Sequence, residues 1–263
     1  MCCVCVRYEY GMMKMQDKTN NISDQGVVLM VRNWQTADKY AVCFTREHGK
    51  VRFIAYGARY VRNTAGRLLQ PFASLQLEIT AGQKIDRLKS CELLRLPQVY
   101  DFKEMAYGAV ITEITAVLTE DHQPQPEIYE LLEQVFLLIK KHNPRLVTAA
   151  YILQLLALTG FAPQVESCVV CGRQPEPEED CYFSPLQGGL VCHECAAGGE
   201  EPFSAGTRML FKQLQQLDFQ SPQKFSVRGA HLMELERLLC KFLLFQTDKP
   251  LKSLDFLNRM NIS

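Results

Sequence analysis

The sequence predicts an α+β protein of several domains, in which a small five-stranded barrel is followed by an α-helical bundle that carries a cysteine-containing insertion. Three observations support this fold class. Apolar residues recur at every second position in the N-terminal third, they recur at helical spacing from residue 102 onwards, and two pairs of cysteines interrupt the helical pattern. At 263 residues with 47% hydrophobic content, the chain is long enough to bury more than one core.

The N-terminal third is predicted to form β-strands. Residues 51–56 and 75–80 place apolar side chains at alternate positions, which is the pattern of a strand with one buried face. The predicted strands span about 25–32, 39–46, 50–57, 72–80 and 84–94. Five short strands with one longer connection, residues 58–68, fit an OB-fold barrel, and an SH3-like barrel is the nearest alternative.

Residues 102–160 switch to helical spacing of apolar side chains. Pro124 and Pro126 separate the first two helices, and Asn143-Pro144 opens a third that ends at Gly160. Helical spacing resumes at about 204–218, 229–246 and 251–259. Because helices lie on both sides of the cysteine-containing insertion, we expect them to form one bundle.

These patterns divide the chain into five parts. They are a leader (1–21), an OB-fold domain (22–96), the first part of a helical domain (97–165), an insertion (166–201) and the second part of the helical domain (202–263). The leader lacks periodicity, and Met12, Met13 and Met15 are alternative starts, so we expect it to be disordered or absent from the native product. No apolar run is long enough for a membrane span and no secretory signal is recognisable, which predicts a cytoplasmic protein without membrane contact.

The insertion carries two Cys-x-x-Cys pairs that predict a metal site. Each pair places two thiolates on one side of a tight turn, and two such turns complete a tetrahedron, as in a zinc ribbon. The alternative is two unrelated reactive dithiols. Four cysteines also fill the coordination shell, so we expect one structural Zn²⁺ rather than a catalytic ion. The predicted ligands are Cys168, Cys171, Cys192 and Cys195.

The sequence contains no phosphate-binding glycine motif and no Gly-x-Ser-x-Gly motif. His193 and Glu194 lie inside the second cysteine pair, and this spacing does not fit a zinc deaminase, whose His-x-Glu precedes its cysteine pair. We therefore predict that the protein is not an enzyme.

Formal net charge is zero, but the charge is distributed unevenly. Residues 24–95 carry 12 lysines and arginines against 6 acidic residues, whereas residues 166–201 carry 1 against 8. Aromatic residues, among them Tyr56 and Tyr60, are interleaved with the basic ones. Cations neutralise phosphates and exposed aromatic rings stack on bases, so the predicted barrel is a candidate nucleic-acid-binding domain. The alternative is a solvated face with buried aromatic residues, which we expect to hold for Phe53.

Several short motifs, taken in order, resemble RecO, a family of bacterial recombination mediators. The barrel motifs are Glu47–Val51, Tyr56–Arg59 and Leu69–Leu77, and the insertion motifs are Cys168–Gly172, Tyr182–Pro185 and Gly188–Cys195. The resemblance covers about 22–256. Each motif alone is modest, but the whole series in this order is specific, and the leader is its main departure.

This resemblance implies an OB fold, a helical domain and a zinc-bearing insertion. It also implies a protein that binds single- and double-stranded DNA and anneals complementary strands in the RecF pathway. Such a protein works with RecR to load RecA onto DNA coated by single-strand-binding protein (SSB), whose acidic tail the family contacts. The phosphate contacts that the resemblance implies are Arg46, Lys50, Arg52, Arg59, Arg62 and Arg67.

Two other functions stay open at this point. One is an OB plus zinc-ribbon module that binds RNA or bridges a transcription complex. The other, less favoured, is a zinc-dependent nuclease.

Overall fold

The computed structural model describes residues 21–95, 100–222, 226–247 and 250–259. The five N-terminal strands are β1 (Asn21–Trp34), β2 (Asp38–Thr45), β3 (Gly49–Ala55), β4 (Ser74–Thr80) and β5 (Asp86–Arg95). They form a closed barrel in the order β1-β2-β3-β5-β4. β1 is long enough to pair with β4 along its first half and with β2 along its second, and a short parallel contact between β3 and β5 closes the barrel. The predicted five-stranded, OB-like barrel is confirmed.

The barrel has two buried faces, which explains why its strands are more apolar than a half-exposed sheet requires. Val28, Cys43 and Phe53 belong to the core inside the barrel. Val42 and Phe44 lie on the outer face and belong to a second core, which continues into the helices. The prediction that Phe53 is buried is confirmed.

The connection between β3 and β4 contains a five-residue helix, α1 (Thr64–Leu68), that the sequence pattern did not predict. Its N-cap is Asn63, whose side chain accepts from the amide of Gly66. Lys39 stabilises the C-terminal end of α1. Its Nζ donates to the carbonyl of Gly66 at 2.6 Å and to that of Leu69 at 3.4 Å.

The predicted helices are present on both sides of the insertion. They are α2 (Phe102–Leu118), α3 (Pro126–Leu138), α4 (Pro144–Leu158), α5 (Ala205–Gln215), α6 (Gly229–Thr247) and α7 (Lys252–Arg259). Their apolar faces meet in one core, which includes Ile111, Val135 and Leu156 from before the insertion and Leu214 and Leu239 from after it. None of the helices in the described part of the chain is long and apolar enough to cross a membrane.

The insertion folds around a small antiparallel sheet in the order β7-β6-β8, formed by β6 (Cys181–Ser184), β7 (Gly189–Val191) and β8 (Glu201–Phe203). Phe183 and Phe203 pack into the helical core. The predicted leader, residues 1–21, lies outside the described residues apart from Asn21, where β1 begins. The predicted division of the chain into these five parts stays a prediction.

Candidate metal centre and nucleic-acid interface

The four predicted metal ligands lie together. The sulfur atoms of Cys168, Cys171, Cys192 and Cys195 all lie within 4.8 Å of one another. The Sγ atoms of Cys171 and Cys192 are 3.8 Å apart. Metal–sulfur bonds of 2.3 Å in a regular tetrahedron place the sulfurs about 3.8 Å apart, so this spacing fits a single ion.

Two tight backbone turns produce this arrangement. In the first, the amide of Gly172 donates to the carbonyl of Cys168 at 2.9 Å, and Gly172 has a φ of 76°, which favours glycine. In the second, the amides of Cys195 and Ala196 both donate to the carbonyl of Cys192 at 3.1 Å. The amide of Cys192 also donates to the Sγ of Cys168 at 3.4 Å, which links the two turns.

The surroundings favour a thiolate at Cys168. Burial alone would raise the pKa of this thiol, but hydrogen bonds from the backbone of Cys192, Cys171 and Val170 lower that pKa to about 6. Hydrogen bonding with Cys192 and Cys171 raises the pKa of Cys195 to about 12. Four thiolates so close together repel one another, and a central cation removes that repulsion. The cluster could therefore hold one metal ion.

A fifth cysteine lies outside the cluster. Cys181 begins β6, and its Sγ is 3.6 Å from Nη1 of Arg208 on α5. The other guanidinium nitrogen of Arg208 donates to the carbonyls of Glu176 and Pro177, at 2.5 Å and 2.9 Å. Arg208 is buried, so this side chain fixes the cysteine-containing insertion onto the helices rather than facing solvent.

The six predicted phosphate contacts separate into two groups at opposite ends of β3. Arg46, Lys50 and Arg52 lie where the barrel meets the helices, which we call the junction end. Two of these side chains form ion pairs with acidic residues of the helical region, Arg46 with Glu130 at 3.3 Å and Arg52 with Asp121 at 3.0 Å. Their charges are therefore largely compensated.

Lys50 is buried, with only 4% of its surface exposed. Its ammonium donates to the carbonyls of Ala116 and Thr119, at 2.6 Å and 2.5 Å, and lies 3.3 Å from a carboxylate oxygen of Asp121. These carbonyls stand at the C-terminal end of α2, where a cation is favourable. Contact with a phosphate requires an accessible ammonium, so this position does not support the predicted role of Lys50, and we assign it to the junction instead.

Arg59, Arg62 and Arg67 follow the other end of β3, which we call the loop end, and all three are exposed. Nη1 of Arg59 donates to the carbonyl of Thr36 at 2.8 Å, which leaves its charge uncompensated. Within the part of the chain that the structure describes, these three guanidinium groups form no ion pair. Asp38, an acidic residue at this end, accepts from the amide of Gly57 at 2.8 Å.

Further cations join this group that were not among the six predicted contacts. Arg32 lies 4.4 Å from the ring centre of Tyr40, and Arg87 lies 5.6 Å from that of Tyr56. Both arginines belong to the basic excess of residues 24–95, but nothing in their spacing distinguished them from the other basic residues of that segment. We name this region the basic loop surface and define it as Arg32, Tyr56, Arg59, Tyr60, Arg62, Arg67, Lys84 and Arg87.

Family models match nearly all of the chain described above. The model for the N-terminal part of recombination protein O matches residues 15–97, and the model for its C-terminal part matches residues 99–255. The chain belongs to the RecO family. The barrel lies in the first match, and the helices with the cysteine cluster lie in the second, so the resemblance inferred from short motifs is confirmed.

Individual relatives agree with this assignment. The chain is 31% identical over 242 residues to a DNA repair protein RecO of Symbiobacterium thermophilum, covering 89% of this chain and 96% of that protein. It is 28% identical over 240 residues to the RecO of Moorella thermoacetica, covering 90% of each chain. It is 29% identical over 249 residues to the RecO of Streptomyces griseus, covering 90% of this chain and 98% of the relative.

Proposed function

We propose that this RecO-family protein is a non-enzymatic, cytoplasmic and nucleoid-associated DNA-binding mediator of recombinational repair. It binds single- and double-stranded DNA, anneals complementary strands, and assists RecA loading on SSB-coated DNA together with RecR. The observation that carries this proposal is the basic loop surface, where six exposed cations lie at one end of an OB-like barrel. Loops at this end of OB barrels contact oligonucleotides in other proteins.

Electrostatics explain how such a surface promotes annealing. Two DNA strands repel each other through their phosphates, and a cationic surface that does not read bases reduces this repulsion for any sequence. At the loop end the cations form no ion pair with a described residue, whereas at the junction end acidic side chains pair with Arg46 and Arg52. We therefore propose that phosphates contact Arg59, Arg62 and Arg67, together with Arg32 and Arg87, and that Arg46 and Arg52 contribute less.

We propose that the cysteine cluster holds one structural Zn²⁺. Four thiolates with tetrahedral spacing match the donor set that zinc prefers in closed sites. When bound, the ion stabilises the two cysteine turns. Because Cys168 and Cys192 belong to the same buried core as the helices, the ion also supports that core.

For the SSB tail we propose a cavity of about 80 Å³ between α2, α4, α6 and α7. Its lining is mainly apolar and includes Arg145. The tail is apolar and acidic at its end, so it requires both an apolar pocket and a nearby cation. Arg145 is hydrogen-bonded to Glu236 at 2.9 Å and 2.5 Å, so a tail carboxylate must compete with Glu236. Thr148 lines the same cavity, and its buried hydroxyl has no hydrogen-bond partner among the described residues.

The cavity assignment predicts that Glu236→Gln strengthens binding of a peptide with the SSB tail sequence, about threefold, because Arg145 loses its competing carboxylate. Fluorescence anisotropy of the labelled peptide measures this change, and weaker or unchanged binding contradicts the assignment.

The DNA-binding proposal is tested with two matched double variants. Arg62→Gln with Arg67→Gln removes two charges from the loop end, and Arg46→Gln with Arg52→Gln removes two from the junction end. At about 0.1 M salt we expect the first variant to bind a single-stranded oligonucleotide about tenfold more weakly, with a salt dependence shallower by about 1.4 in log–log slope. The second should stay within about threefold of the unmodified protein.

The same proteins should then be compared in annealing of SSB-coated strands, with and without RecR. Fluorescence of Trp34, the single tryptophan and a neighbour of the loop end, provides a second measure of binding. Equal losses in the two double variants contradict the assignment of the loop end. Tighter binding of RNA than of DNA of the same length supports the alternative of an RNA-binding module.

A further inference from the structure

The loop end carries two neighbouring side chains with large exposed apolar surface. Val61 is 92% exposed, the highest value among the exposed large hydrophobic residues, and its neighbour Tyr60 is 57% exposed. They lie at the tip of the loop that follows β3, between Arg59 and Arg62. A valine that buries no surface contributes nothing to the core, because the hydrophobic effect depends on the area removed from water.

The backbone of this tip is held in place rather than loose. The amide of Tyr60 donates to the carbonyl of Gly57 at 3.0 Å, and the amide of Asn63 donates to the carbonyl of Tyr60 at 2.9 Å. The amide of Arg59 donates to the carbonyl of Ala37 at 2.9 Å, which ties the loop to the turn between β1 and β2. The tip is therefore presented in a defined position.

The ring of Tyr60 is also positioned by close packing. A Cβ atom at Gly57 would lie 3.3 Å from Cδ2 of this ring, so part of the ring lies directly against the backbone of Gly57. Gly57 has a φ of 63°, a backbone conformation that residues other than glycine rarely adopt. The glycine permits the close packing, and more than half of the tyrosine stays exposed.

We propose that Tyr60 and Val61 form a wedge that recognises the junction between a single strand and a duplex, with Val61 packing on the terminal base pair and Tyr60 stacking on the first unpaired base. This inference rests on the proposed DNA-binding function. The flanking arginines form no ion pairs with described residues and favour phosphates on both sides of the wedge. Apolar side chains can pack against base pairs that have lost a stacking neighbour, and a tyrosine ring accepts any base.

The inference is tested with three DNA molecules of equal strand length: a single strand, a blunt duplex and a fork with unpaired arms. Val61→Ser should bind the fork about five- to tenfold more weakly than the unmodified protein, but bind the single strand within twofold. Tyr60→Ser should weaken binding to both the fork and the single strand, and Tyr60→Phe should restore it because the ring is retained. Leu186→Ser, at a 74% exposed leucine of the cysteine-containing insertion, is the matched control and should change neither.

A 2-aminopurine placed at the junction reports directly on stacking. Its fluorescence should change when the unmodified protein binds the fork, and that change should be lost in Val61→Ser. Equal affinity of Val61→Ser and the unmodified protein for the fork overturns the wedge, while weak binding by Arg62→Gln with Arg67→Gln still supports the proposed function. Failure of the unmodified protein to bind any of the three DNAs overturns the proposed function itself.

Discussion

The two ends of β3 carry similar basic residues in opposite surroundings. At the junction end, Lys50 is buried against the end of α2, and Arg52 is paired with Asp121. At the loop end, Arg62 and Arg67 are exposed and form no ion pair with described residues. The comparison teaches that a count of basic residues overestimates the surface available to a polyanion. The closest acidic partners of Arg46 and Arg52 come from the helical region, and Glu47 of the barrel adds a longer contact to Arg46 at 3.9 Å.

The largest effect we expect comes from loss of the proposed metal ion, and it tests whether the loop end works independently of the cysteine cluster. Cys195→Ser, or chelation of the ion, should lower the free energy of unfolding by on the order of 5 kcal/mol, because structural zinc is worth about 10–16 kcal/mol in small peptides. Metal content and denaturant unfolding measure this. Cys181→Ser, which leaves all four clustered thiols in place, should keep one equivalent of metal.

Hydrogen exchange should then show that Cys195→Ser loosens α5 more than β2. Equal loosening of the barrel contradicts a separation between the cysteine cluster and the loop end.

Lys50→Met tests the junction end directly. It removes a buried ammonium and leaves the carbonyls of Ala116 and Thr119 without a donor. We expect the free energy of unfolding to fall by about 3 kcal/mol. Arg52→Gln is the matched control, because it contacts the same Asp121 from an exposed position and should lower stability by less than about 1 kcal/mol. If Lys50→Met keeps its stability but binds DNA more weakly, Lys50 contacts phosphates after all.

Asp121→Asn sharpens the comparison by removing the acid rather than the base. Both Lys50 and Arg52 lose their carboxylate partner, and we expect stability to fall by about 1 kcal/mol. The freed charge of Arg52 should strengthen oligonucleotide binding up to about threefold and steepen its salt dependence by about 0.7. Titrations of the oligonucleotide at several salt concentrations measure both effects. An unchanged slope of log affinity against log salt concentration contradicts the idea that pairing with Asp121 is what keeps Arg52 from binding phosphates.

Lys39→Met should have the smallest effect. Lys39 holds the C-terminal end of α1, which carries Arg67, and it does so by hydrogen bonds to two carbonyl groups. Burial lowers the pKa of Lys39 from its usual range, in keeping with its partly enclosed position. We expect a loss of about 0.5 kcal/mol in stability and of about twofold in oligonucleotide affinity. Affinity that falls as far as in the loop-end double variant means that Lys39 contacts DNA itself.

The parts of the fold that depend on local pattern were predictable. The alternation in residues 51–56 located β3 to within two residues, and the cysteine spacing identified all four members of the cysteine cluster. α1 was missed because five residues are too few to display a helical period, and its stability comes from the cap at Asn63 and from Lys39. The burial of Lys50 was missed because its carbonyl partners lie 66 and 69 residues further along the chain.

The same reasoning explains why the predicted phosphate contacts divide into two groups. Glu130 and Asp121, which pair with Arg46 and Arg52, belong to residues 96–165, where 8 acidic residues against 4 basic ones show only a general acidic excess. Composition gives the sum of charges in a segment, but only folding determines which of them face each other. Long-range pairing is therefore the information that the sequence patterns lacked.

The helical core is assembled from segments on both sides of the cysteine-containing insertion, and this has a consequence for synthesis. Gln154 on α4 donates to the carbonyl of Leu217, beyond α5, at 2.8 Å, so α4 rests against chain that is made 63 residues later. At about 5–20 residues per second, the ribosome leaves the side of α4 that faces α5 uncovered for roughly 3–13 s. During that interval the apolar residues on this side of α4 are exposed to solvent, which favours aggregation of the nascent protein.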